Sequence, residues 1–124
     1  MIEEKLIDHL QAEGITADIY PTVLPMKPAY PVITYQRISN HGHHDIPYDF
    51  PRINITVWSP RLIEAKALAN EIEFKLRGYK GVMGGFKVKQ IVKEPSPGDL
   101  YDREAGEDGV HYVPVDYRII YEGV

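Results

Sequence analysis

Residues 51–78 read PRINITVWSPRLIEAKALANEIEFKLRG. Ile53, Ile55 and Val57 alternate with Arg52, Asn54, Thr56 and Trp58, the period of two that marks a strand with one buried face. Ser59 carries the hydroxyl of an N-cap, and Pro60 suits the first helical position, where no backbone N–H is needed. Beyond them Leu62, Ala65, Ala69, Ile72 and Leu76 step by three and four and form one apolar stripe. Glu71 and Lys75, like Glu73 and Arg77, stand four apart and support the helix as ion pairs. Gly78 then serves as the C′ stop. A strand feeding directly into an amphipathic helix fixes the presence of both element types, and the flanking segments decide how they combine.

On the N-terminal side, Ile2 to Glu13 reads as a short amphipathic helix. Ile2, Leu6 and Leu10 share a face, Glu3 and Glu4 complement the dipole, and Gly14 ends it. Ile15 to Tyr20 is a brief extended piece, and Pro21, Pro25, Pro28 and Pro31 mark an irregular connection. Val32 to Ile38 is a strand with Ile33 and Tyr35 on one face, and His41 to Asp49 reads as a polar loop. On the C-terminal side, Gly78, Gly81, Gly84 and Gly85 break the chain before a strand over Phe86 to Lys93. Asp99 to Gly109 is an acidic loop or hairpin arm, and His111 to Tyr121 is the last strand. Pro114 within it points to an edge position or a bulge. The order predicts an α+β fold: a mixed, mostly antiparallel sheet of about four to five strands, with two helices packed on one face.

With 124 residues the chain is expected to form a single domain over 1–124, large enough to fold without disulfides or metals. It has no cysteine, which removes thiol nucleophiles and cysteine-ligated zinc. The net charge of −4 does not suit a dedicated nucleic-acid binder, whose affinity comes from neutralising phosphates. The acidic start Met1-Ile2-Glu3-Glu4 is unlike a secretory signal, and no segment has the length of a membrane span. A soluble, cytoplasmic protein is expected. Nine tyrosines are compatible with strands and equally with protein interfaces.

Candidates for chemistry are few. His41, His43, His44 and Asp45 fall within five residues, with His9 and His111 able to join them in space, and such donors suit zinc, nickel or iron. They lack the helical spacing of a built metal site, so a solvated loop is the plainer reading. Asp99, Asp102, Glu104, Glu107 and Asp108 have nothing apolar nearby to raise a carboxyl for acid–base work. No nucleophile elbow or phosphate loop is present. Lys87, Lys89 and Lys93 fall on one strand face as a basic stripe, either an ordinary solvated edge or a contact for an acidic neighbour. Trp58 lies opposite Ile53, Ile55 and Val57, and is an interface anchor if that side of the sheet is open and core if a loop covers it.

Taken in order, these segments resemble the tail completion family of long-tailed phages and prophages, also called tail terminator or head-to-tail joining proteins. The resemblance rests on the N-terminal helix and the segment ending Tyr20-Pro21, then on Tyr30-Pro31-Val32-Ile33-Thr34-Tyr35-Gln36. It continues through Ile53-Asn54-Ile55-Thr56-Val57-Trp58-Ser59, a helix with Ala65, Ala67 and Ala69, Tyr101-Asp102, and Val115-Asp116-Tyr117-Arg118-Ile119. It implies an α+β subunit of a ring, commonly hexameric, that caps the tail tube and receives the head connector. It also implies no enzyme activity, no cofactor, no membrane, and DNA passing through without specific binding. Assembly would take place in the bacterial cytoplasm, and the product would sit at the virion neck. Interface candidates on physical grounds are Trp58, Tyr35, Tyr101, Asp102, Tyr112 and Arg118. Two other readings stay open: a small metal-dependent enzyme using His41, His43 and His44, and a generic α+β ligand-binding module.

Overall fold

The computed structural model describes residues 2–22, 29–39, 42–43, 46–94, 100–102 and 110–122. Helix α1 covers Ile2–Ala12 and α2 covers Leu62–Leu76. The strands are β1 (Asp18–Pro21), β2 (Val32–Ser39), β3 (Gly42–His43), β4 (Ile46–Asp49), β5 (Arg52–Ser59), β6 (Gly81–Met83), β7 (Phe86–Glu94), β8 (Leu100–Asp102) and β9 (Val110–Glu122). All nine join one sheet, antiparallel except where β1 runs parallel to β2.

The register reduces nine strands to six files. Arg52 faces Arg118 and Asp49 faces Tyr121, so β4 and β5 are one line along β9, interrupted at Phe50-Pro51. Ser39 faces Arg52 and Gly42 faces Asp49, so β3 likewise prolongs β2. On the other edge of β9, β8 pairs with Val110–Tyr112 and β7 with Asp116–Glu122. The files therefore run β1, β2/β3, β5/β4, β9, β7/β8, β6. The α+β class stands, but the sheet exceeds the four to five strands expected. The additional pieces are short and carry too few residues for a period to emerge. Part of the expected polar loop 41–49 is a hairpin extension, and β6 forms where a plain turn was expected. Gly84 and Gly85, both at positive φ, connect β6 to β7 as a two-residue hairpin turn.

Odd-numbered residues of β2, β5 and β9 face the helices. Ile33, Ile53, Ile55, Val57, Tyr117 and Ile119 join Ile2, Leu6 and Leu10 of α1 and Ala65, Ala69, Ile72 and Leu76 of α2 in one core. α2 lies over β5 and β9. α1 is tied down by Glu3, whose carboxylate accepts two bonds from Arg37 at 2.7 and 3.0 Å. This pair makes Glu3 a buried residue and not merely a dipole complement.

The cap of α2 differs from the expected one. Arg61 is extended (φ −110°, ψ 117°) and is the N-cap, without a side-chain cap bond. Ser59, fully buried at the end of β5, acts from two residues earlier: its Oγ accepts the Arg61 N–H at 3.1 Å and donates to Glu64 at 2.8 Å. Gly78 does stop the helix, at φ +77°.

Pro114 lies in the central file, not at an edge. Ile119 N–H donates to Pro51 C=O, so by alternation the odd pairs carry the β5–β9 bonds and position 114 turns its missing N–H the other way. On that side, among the described residues, β8 pairs as far as Tyr112 and β7 from Asp116 onward. Among the described residues no strand on that side faces position 114.

Candidate functional site

The face of the sheet turned away from the helices is built from even-numbered residues. Arg52 faces Arg118, Asn54 faces Asp116, Thr56 faces Pro114 and Trp58 faces Tyr112, while β2 places Thr34 beside Thr56. Trp58 lies on this face, half-buried. Its indole stacks on Tyr112, with centroids 4.7 Å apart and planes at 22°, and its Nε1–H donates to Thr34 Oγ1 at 2.9 Å. Both rings remain half-buried. A stacked cross-strand pair of this kind contributes beyond its buried area and presents wide flat edges to a partner.

Further along the strands the face becomes ionic. Asp116 accepts from Asn54 Nδ2 at 2.8 Å and from Arg52 through Nε at 2.9 Å and Nη2 at 2.8 Å. Thr56 Oγ1 donates to the Asn54 side-chain oxygen. Arg118 donates from Nε to Glu94 at 2.7 Å and from Nη1 to the Phe50 carbonyl at 3.0 Å, spanning the break between β4 and β5. Asp116 and Glu94 are thus each held by an arginine, so neither is set up as a general base. The arrangement suits contact: an aromatic centre beside a hydrogen-bonded polar surround.

The structure brings together three of the sequence candidates, Trp58, Tyr112 and Arg118, on this face. Tyr35 is elsewhere. It lies on the helix side, half-buried against the core, and burial followed by Glu4, Glu3 and Asp8 pushes its hydroxyl above the usual tyrosine range. Tyr101 and Asp102 are placed by backbone only, in β8 opposite His111 and Val110. Sequence reasoning missed the Arg52–Asn54–Asp116 cluster and the Thr34 acceptor. The period assigned them a common face, but which neighbours would meet depended on pairing across 24 to 64 residues.

The expected lysine stripe is split. The register shifts between Val88 and Gln90, which turns Lys93 to the helix side, where it pairs with Glu73 at 2.9 Å. Lys87 stays on the outer side, 3.9 Å from Glu122. Glu73 is thereby drawn to β7, away from its helical neighbour Arg77.

His41, His44 and Asp45 lie outside the described residues, and of His43 only the backbone is described. His9 packs edge-on against Tyr79, with centroids 4.7 Å apart. Among the described residues no group of three or more His, Asp or Glu could hold a metal ion. Of the acidic segment, only Leu100–Asp102 is described. Among the described residues, no helix is long and apolar enough to cross a membrane.

No protein-family model and no curated protein matches the sequence. The fold does have solved likenesses. A chain from the virion of a native gene transfer agent particle superposes with a TM-score of 0.70, at 16% identity, over 95% of this chain and 92% of that one. A second solved chain superposes with a TM-score of 0.59, at 18% identity, over 99% of this chain and 92% of its own. At these identities the shared property is the fold.

Proposed function

We propose that the chain is a structural subunit of a phage-like particle. It forms a ring, a hexamer in its assembled state, that ends the tail tube and joins it to the head connector. The observation that carries this reading is the likeness, over nearly the whole chain, to a component of a gene transfer agent virion. The ordered segments of the sequence, from the N-terminal helix to Val115-Asp116-Tyr117-Arg118-Ile119, support the same reading independently of it.

The subunit acts by stoichiometric contact, without catalysis or a cofactor. Trp58 and Tyr112 form the anchor of one contact surface, framed by the Arg52–Asp116 and Arg118–Glu94 pairs. A net charge of −4 lets duplex DNA pass through such a ring without being gripped.

The test is disruption of the gene in a host that produces the particle. Electron microscopy should then find filled heads separate from tails of irregular length, and the chain supplied in trans should restore joined particles. Joined particles of normal tail length without the chain would overturn the reading. A triple replacement of His41, His43 and His44 by alanine should complement as well as the wild type. Failure with the protein folded would favour the metal-dependent alternative.

A further inference from the structure

Two surface features outside the Trp58 face occupy opposite ends of the sheet. At the β1 end a hollow of about 550 Å³ lies between the segment leading into β1 and the flank of α2. Its walls include Ala17, Ala67 and Leu68, and its acids are Asp18, Glu64 and Glu71. The same flank of α2 continues into a more apolar recess beside Ile63, which is 84% exposed. At the β6 end, the Gly84-Gly85 turn closes the β6–β7 hairpin. Val82 is 67% exposed there and is the cross-strand partner of Lys87, so both side chains stand on one face. Lys80 and Lys89, next in the chain to the paired Gly81 and Val88, are exposed as well. The hairpin is braced from below: a Cβ at Gly84 would overlap the stem of Lys5 on α1.

We infer that the β6–β7 hairpin of one copy inserts into the β1–α2 hollow of the next, as a head-to-tail contact between copies of this chain. Val82, exposed on β6, supplies an apolar side chain for a wall of alanine and leucine. Lys80, Lys87 and Lys89 meet Asp18, Glu64 and Glu71, so the two patches are complementary in charge. The Lys87–Glu122 pair, at 3.9 Å between two exposed side chains, holds Lys87 only weakly and leaves it available. Because knob and hollow are different patches at opposite sheet edges, each copy can offer both at once. Such a heterologous contact closes into a ring if the rotation allows. The contact deepens the ring reading above, and it is tested apart from it.

The absence of cysteine makes a disulfide test clean. Val82→Cys and Ala67→Cys variants are prepared separately, mixed at high concentration and oxidised; both positions are exposed, so folding should be kept. A cross-linked dimer is expected from the mixture and not from either variant alone, and the chain carrying both substitutions should give a ladder. Lys87→Glu with Lys89→Glu in the Val82→Cys chain should reduce the mixed dimer about tenfold, the equivalent of 1.4 kcal/mol. Adding Asp18→Lys and Glu71→Lys to the Ala67→Cys chain should restore it. Absence of the mixed dimer, with both variants folded by circular dichroism, overturns the contact, whatever else occupies the hollow. If the wild-type chain is nevertheless required for joined particles, the assembly reading stands and only this pairing of surfaces is wrong.

Discussion

The two faces of the same strands are held in opposite ways. On the helix side, Ile53, Ile55, Val57 and Ile119 are almost completely covered, and the attraction among them is non-directional burial. On the outer side, Thr34, Thr56 and Asp116 are nearly as well covered, yet each is polar and each has a named partner. Coverage alone therefore does not separate core from surface in this sheet. The inner face is held chiefly by packing, whereas the outer face is held chiefly by directional bonds. A surface fixed in that way keeps its shape, as the contact surface proposed above requires.

The largest expected effect tests the inner side. Ile72→Ala on α2 should cost about 2–5 kcal/mol in urea or guanidinium unfolding, through lost burial and the cavity left behind. If Trp58→Ala costs as much, the division between a core face and a contact face fails. Next is Asp116→Ala, which strips Arg52 and Asn54 of their shared acceptor. It should cost about 1–3 kcal/mol. An Asp116→Ala variant of unchanged stability would mean that the outer network is ornamental to the fold. Ser59→Ala should cost about 1 kcal/mol, the size of a lost helix cap, because its hydroxyl serves both Arg61 and Glu64.

What the sequence disclosed about these faces was governed by distance along the chain. The β5–α2 unit, the stop at Gly78, the face of Trp58 and the stripe on α1 all follow from periods and caps within one element. Ser59 was recognisable as a capping residue but not its offset, since an extended Arg61 shifts the helix start by two residues. The bulge beside Lys89 reverses the face of everything after it, and a strand pattern read at strict period two places Lys93 wrongly. Pro114 by itself points to an edge position or a bulge, and its place opposite Thr56 in the central file is a property of the assembled sheet. The Glu3–Arg37 pair joins elements 34 residues apart and leaves no local trace. For the candidate surface, Trp58, Tyr112 and Arg118 were legible as types that make interfaces. Their grouping needed the register of β2, β5 and β9.

The smallest expected effect concerns the one inner-face residue that breaks the pattern. Tyr117 is fully buried, and among the described residues its hydroxyl has no hydrogen-bond partner. An unpaired buried hydroxyl is unfavourable, so Tyr117→Phe should leave stability unchanged or raise it by up to about 1 kcal/mol. The sign with pH follows from the same burial, which, with the Glu73 carboxylate, pushes the Tyr117 hydroxyl well above the usual tyrosine range. The folded chain then holds this proton more tightly than the unfolded chain, whose tyrosines titrate near about pH 10. Stability from this source is complete below that pH and falls as pH rises above it, because the unfolded state binds fewer protons. Phenylalanine does not titrate, so the variant's advantage should widen on the alkaline side. Tyr35 and Tyr121, also raised mainly by burial, should preserve part of the decline. Urea midpoints of the two chains at neutral and alkaline pH measure the gap. A Phe variant less stable than the wild type at neutral pH would mean that the hydroxyl is partnered, and that the inner face too is specified by a directional bond.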